Sequence, residues 1–225
     1  MSNEENNVEE VVENKPFSVV DFLEKNSKNL TYAGIALVVI AAGFWYYTTK
    51  YLPNQEANAK ADSFMAENLF ASDSFDLALN GSANFTGLID VADDHSGTLA
   101  GERANFLTGR GLMNQGKFEE AIEYLENVHF EDEIVAPLAV CLIGDCHVQL
   151  DDLATGAEYY LKAAKMRDNS FTAPYSYAKA ARALSAAEDF AGAVEALEMI
   201  KKDYSETQFA REIDKEIAMA KASMK

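Results

Sequence analysis

The chain has 225 residues, with 37 acidic against 19 basic side chains and a net charge of −18. That balance excludes nucleic acid and an anionic lipid surface as principal partners, because both repel a surface of their own sign. Four prolines and abundant Ala, Leu, Glu and Lys point to an all-α fold.

Residues 1–28 read as an acidic tail, and its first half, MSNEENNVEEVVEN, is too poor in large apolar groups to fold. Residues 17–28 read either as a short amphipathic helix, with Phe17, Val20, Phe22 and Leu23 on one side, or as a simple extension. The uncharged run 29–49, NLTYAGIALVVIAAGFWYYTT, follows between Lys28 and Lys50. As a helix it reaches roughly 30 Å, the thickness of a hydrocarbon core, so it reads as one transmembrane helix through a lipid bilayer. Trp45, Tyr46 and Tyr47 at one end and Tyr32 near the other suit the lipid–water boundary. A cleaved signal peptide is disfavoured: the preceding tail is long and acidic, and bulky rings stand where cleavage needs small residues. Lys15, Lys25 and Lys28 on the amino side outnumber Lys50 and Lys60 on the other, which places the tail in the cytoplasm and the domain outside.

Residues 50–97 read as a helical lead-in. Leu52-Pro53 breaks one helix or starts the next. Residues 54–71 then form a helix with Ala57, Ala61, Phe64, Met65 and Leu69 inward. Shorter helices cover about 73–79, stopped by Asn80-Gly81, and about 85–92, followed by a turn at Ser96-Gly97.

From residue 98 to 203 the pattern repeats at about 35-residue spacing. Three stretches align: FLTGRGLMNQGKFEEAIEYLENV, CLIGDCHVQLDDLATGAEYYLKAA and YAKAARALSAAEDFAGAVEALEMI. Each holds two helices about a tight turn, at Gln115-Gly116-Lys117, Leu150-Asp151-Asp152 and Ala187-Glu188-Asp189. Small residues recur where the helices of a pair approach: Gly109 with Ala121, Gly144 with Gly156, Ala181 with Ala193. Residues 204–225 hold a capping helix, about 206–224, with Phe209, Ile213 and Ile217 on one stripe.

These positions resemble the tetratricopeptide repeat, an α-solenoid of stacked helical hairpins. Asn105 and Val140 depart from the aromatic residue that the repeat carries early in its first helix, and only Tyr177 keeps it. The resemblance implies a groove lined by the first helix of each unit. Mapped onto this chain, the partner-binding positions are Arg103, Phe106, Arg110 and Met113; Leu138, Cys141, Asp145, Val148 and Gln149; and Tyr175, Ala178 and Arg182. Arg110, Asp145 and Arg182 occupy equivalent positions, and pairing with one another along the stack is the preferred reading for those three. Arg103, Phe106, Met113 and Tyr175 remain for a peptide with apolar side chains and some negative charge.

No catalytic, cofactor or metal constellation stands out. His95 beside Asp93 and Asp94 reads as a solvated turn. His129 reads as the end of a helix. Cys141, Asp145, Cys146 and His147 string together like ligands, but one helix points them in different directions, and His147 falls on a core position. The two cysteines read as free, partly buried small residues that do not bridge.

The order of parts, with HSGTLAGERANFLTGRGLMNQGKFEEAIEYL as its clearest stretch, is similar to the YfgM-like ancillary subunits of the bacterial Sec translocon, in a divergent form such as those of Bacteroidota. That resemblance implies a non-catalytic subunit in the inner membrane with a periplasmic domain. Its implied partners are SecYEG, a PpiD-type periplasmic chaperone and emerging secretory chains. A periplasmic scaffold for outer-membrane or cell-division assembly is the other reading.

Overall fold

The computed structural model describes residues 19–224, and of Val19, Asp21 and Phe22 only the backbone. The expected disorder of residues 1–14 and the expected place of Phe17 on the amphipathic side lie outside the described residues. Contacts divide the chain into two units at Tyr51/Leu52. Regular structure among the described residues is helical, with one isolated antiparallel bridge between Ser82 and Phe85.

The first unit holds α1 (Val19–Lys25), α2 (Ser27–Tyr46) and a single wide π turn (Tyr47–Tyr51). No residue of α2 is buried, and its Leu, Val, Ile and aromatic side chains all face outward. The helical stretch that contains it is long and apolar enough to cross a membrane. The π turn has local causes. Pro53 lacks the amide that an α-helix would aim at the carbonyl of Thr49. The hydroxyls of Thr48 and Thr49 donate to the carbonyls of Phe44 and Trp45, at 3.0 and 2.6 Å, which favours a loosened turn. Helix α3 (Leu52–Ala71) starts next, with Pro53 in its first turn, where a missing amide costs nothing.

The second unit runs on through α4 (Phe75–Asn80), α5 (Leu88–Asp94), α6 (Leu99–Asn114), α7 (Phe118–Glu126), α8 (Val135–Gln149), α9 (Leu153–Met166), α10 (Thr172–Ala186), α11 (Phe190–Asp203) and α12 (Ile213–Ser223). Helices α6/α7, α8/α9 and α10/α11 are the three expected hairpins. Their turns share one geometry. Gly116, Asp151 and Glu188 are left-handed, with φ of 75, 63 and 62°. In each turn the next amide reaches back to close the helix: Lys117 to Leu112, Asp152 to His147, and Asp189 to Leu184, at 2.9–3.0 Å. The carboxylates of Asp152 and Asp189 then cap the second helix, accepting from the amides of Thr155 and Gly192.

The same turn occurs a fourth time. Asp73 is left-handed, with φ 59°, and Ser74 N–H donates to Leu69 O at 2.9 Å. Ala66 and Ala78 flank Asp73 as Gly109 and Ala121 flank Gly116, and both alanines are fully buried. Phe75 stands where Phe118 and Phe190 stand and packs into the same core. The lead-in is therefore a helical hairpin like the others, except that its second helix is broken. Gly81 ends α4 with φ 68°, and the chain re-forms as α5 after Gly87. A Cβ on Gly87 would stand 2.3 Å from Leu79 O, so only glycine fits this crossing. Helix α5 then buries Leu88, Val91 and Ala92.

Helix α3 corrects a sequence expectation. Its buried face is Ala59, Ser63, Ala66 and Phe70, while Ala57, Ala61, Phe64 and Met65 are exposed and only Leu69 faces inward as expected. Small residues let α3 approach closely, and the larger apolar ones are turned outward. The capping helix is also shorter than expected: Gln208–Ala210 form a 3-10 turn, with Phe209 against Tyr175 at 6.1 Å between ring centroids, and α12 begins only at Ile213.

Two apolar clusters fill the unit. One joins α3 to α8 around Leu79, Leu88, Leu112 and Leu125, each at most 1% exposed. The other joins α8 to α12 around Tyr160, Tyr177, Leu197 and Ile200. Each such aliphatic side chain contributes about 1.5–3 kcal/mol by leaving water.

Candidate protein-binding groove

Helices α6, α8 and α10 carry the positions at which sequence places the groove. The first set is partly engaged within the chain. Arg103 Nε lies 3.5 Å from Glu67 Oε1 of α3. The Arg110 guanidinium lies 5.7 Å from the ring centroids of both Phe70 and Phe106, so a cation sits against two aromatic faces. Phe106 and Met113 are half-buried against the first cluster. In the second and third sets Cys141 and Ala178 are buried and offer nothing to a ligand. Tyr175 is half-buried, and Arg182 is exposed.

The expected ladder of Arg110, Asp145 and Arg182 is not what forms. Asp145 Oδ1 accepts from Lys179 Nζ at 2.6 Å and from the Tyr160 hydroxyl. The Lys179 ammonium also lies 5.3 Å from the ring centroids of Tyr160 and Tyr175. The reason is one of offset: Lys179 stands almost one helical turn before Arg182, and that turn faces Asp145 across the α8–α10 contact. Burial and the Asp145 carboxylate push the Tyr160 hydroxyl well above its ordinary range. Burial alone would lower Lys179, but its bond to Asp145 outweighs that and holds it above its ordinary value. The network is closed and neutral, so Asp145 and Lys179 are committed to joining two hairpins.

What stays open is a recess of about 530 Å³ between these hairpins, lined by Met113, Phe118, Asp145, Val148, Tyr160 and Lys179. A second recess, of about 310 Å³, lies between the last hairpin and α12, against Arg182, Phe190, Leu197, Glu216 and Met219. Among the described residues Arg182 makes no ion pair. The arrangement can hold apolar side chains beside separate charges, which suits a polypeptide.

The candidate ligand groups resolve differently. Cys141 and Cys146 are free and buried, and burial, reinforced by the Asp145 charge, pushes both thiols up to about 12. His147 stacks on Tyr159 at 5.2 Å and its Nδ1 lies 3.6 Å from Asp152 Oδ2, a packing role. His95 is not a solvated turn residue: its side chain is 12% exposed, and Nε2 meets Asp62 Oδ2 of α3 at 2.9 Å. His129 lies in the loop beyond α7, which ends at Glu126. The sequence carried no signal for the His95 contact, because the apolar pattern of α3 points to a different face from the one that packs.

Residues 139–170, which span most of α8 and all of α9, match the tetratricopeptide repeat family. No curated protein matches the chain. The repeat is a protein-interaction module, generally without catalysis, so the second unit is a protein-binding solenoid in character, preceded by one helix apolar enough to cross a membrane.

Proposed function

We propose that this chain is a membrane-tethered interaction subunit of the bacterial Sec translocon, which holds a PpiD-type periplasmic chaperone close to emerging secretory chains. The observation that carries the interaction role is the tandem array of helical hairpins, one of which matches the tetratricopeptide repeat. The translocon context rests on the resemblance of the order of parts to YfgM-like subunits. In this reading α2 spans the inner membrane, with Tyr32, Trp45, Tyr46 and Tyr47 at its boundaries, the amino terminus in the cytoplasm and the array in the periplasm. The mechanism is passive: an anchor raises the local concentration of the array at the channel exit, and the bound chaperone meets the substrate there.

Within the array the partner contacts Arg103, Phe106, Arg110, Met113, Tyr175 and Arg182. The recess between hairpins and the one beside α12 take its apolar side chains, and exposed Arg182 takes an acidic one. The test is co-purification of the tagged full-length protein from native membranes in mild detergent. SecYEG recovered with a PpiD-like chaperone is the expected result, and Met113→Glu with Arg182→Glu should remove the chaperone while SecYEG remains. Recovery of outer-membrane assembly or division proteins without SecYEG would overturn the translocon reading and favour a periplasmic scaffold.

A further inference from the structure

The groove leaves one regular feature of the array unused. Leu99, Ile134 and Phe171 stand at the start of α6, α8 and α10, and the same number of residues separates each from its left-handed turn residue, Gly116, Asp151 or Glu188. They are therefore one repeat position seen three times. A large apolar residue there faces solvent in each of the three later hairpins, while the first has Glu56: Leu99 is 65% exposed, Ile134 37% and Phe171 63%. Single exposed apolar residues need no explanation, but three in register on one edge form a ridge. Local bonds hold that edge in place. Asp132 accepts from the amides of Ile134 and Val135, at 2.8 and 2.6 Å. Asn169 accepts from the amides of Phe171 and Thr172, and donates to Glu133 O across to the neighbouring loop at 2.9 Å.

The charge along the ridge is uneven: beside Leu99 it is balanced, with Glu56, which accepts from Ala100 N–H, paired to Lys60, and Arg103 beside Glu67. Asp93 and Asp94 end α5, ahead of the loop into α6, and the loop into α8 carries Glu131, Asp132 and Glu133. Arg167, the nearest cation of the next loop, is turned onto the carbonyls of Met166 and Glu131 rather than onto a carboxylate. Burial alone would raise the Asp132 carboxyl, but hydrogen bonds from the backbone amides of Val135 and Ile134 outweigh it and hold the group below its usual range, so it stays charged. The acidic excess lies beside Ile134, and the Leu99 and Phe171 ends are closer to neutral.

We infer that this edge docks a basic amphipathic helix of a partner protein, with Leu99, Ile134 and Phe171 against its apolar stripe. Spacing sets the register. Helices α6, α8 and α10 touch in sequence, and packed helices stand about 8–10 Å apart. Two turns of a helix advance about 10.5 Å, so apolar residues at i, i+7 and i+14 meet the three ridge positions in turn. The partner's Lys and Arg residues lie mainly beside Ile134, where Glu131, Asp132 and Glu133 are. The inference stands on the hairpin geometry and not on the translocon reading or on the groove.

The probe is a labelled synthetic peptide with Leu at every seventh position and Lys and Ala between. Its binding is read by fluorescence anisotropy to the full-length chain in phosphatidylcholine nanodiscs, with empty nanodiscs subtracted. Saturable binding is expected. Leu99→Asp, Ile134→Asp and Phe171→Asp together should weaken it at least tenfold, with helical content unchanged because all three side chains are exposed. Glu131→Gln with Glu133→Gln should weaken it severalfold and flatten its salt dependence. Met113→Glu with Arg182→Glu should leave it unchanged, which separates this edge from the groove. Equal binding by the ridge variant, or equal binding of a control peptide with Ala for Leu, overturns the inference.

Discussion

The first hairpin and the three that follow it use the same turn and the same pair of small residues, yet only the later ones look alike in sequence. In α6–α11 both helices of a unit run unbroken, so apolar positions recur at steady spacing. In the first unit Gly81 stops the second helix after α4, and α5 completes its packing from a new start at Leu88. The lesson is that a repeat is defined by what the turn and the helix crossing require, and those requirements survive the loss of half a helix. Substitutions can test how far the likeness goes.

The largest effect is expected from Ala66→Leu, which forces three extra heavy atoms into a fully closed crossing between α3 and α4. It should cost about 3 kcal/mol, as Ala121→Leu should at the equivalent crossing in the next unit, both measured by urea unfolding. A much smaller cost for Ala66→Leu would show that the first hairpin is a loose appendage. Next comes Gly87→Ala, which meets the Leu79 carbonyl and should cost about 2–3 kcal/mol, and no later unit has a counterpart to this site.

Asp145→Ala should cost about 2 kcal/mol, by leaving the half-buried Lys179 unpaired. That contact has no analogue in the first unit, where Glu67 instead meets Arg103. The same network predicts an alkaline weakness. Lys179 and Tyr160 both titrate higher in the fold than in the unfolded chain, so their contribution is complete below about pH 10 and is lost as pH rises above it. Tyr160→Phe should flatten the fall in thermal midpoint above pH 10. The smallest effect is a gain: Glu188→Gly should add about 0.5–1 kcal/mol, because glycine reaches the left-handed turn at no steric cost. Gly116→Ala should lose a similar amount at the matching turn.

Most of the α-solenoid is legible in the sequence because its turns and crossings restrict residue type. Gly109, Gly144 and Ala181 mark where helices touch, and Gln115-Gly116-Lys117 and its counterparts mark where they reverse. What was hidden follows from the same physics. Phe64 and Met65 look like core residues by polarity, but a close crossing needs small ones, so Ala59, Ser63 and Ala66 hold the inner face of α3. The fourth turn was hidden by the interruption after Asn80, which breaks the spacing by which the other hairpins align. In the candidate groove, the resemblance to the tetratricopeptide repeat supplied the expected positions but not their commitments. Whether Asp145 meets Arg182 or Lys179 depends on how α8 and α10 are offset, and a single-helix pattern carries no record of that.

The seam between the two apolar clusters has a kinetic consequence. It runs through α8, which gives Ile143 and Cys146 to one side and Cys141 to the other. In a linear stack each hairpin is protected only by its neighbours. Amide hydrogen exchange should therefore resolve two cooperative blocks, with the amides of α8 reporting the slower of the two and the stack opening from either end toward that helix.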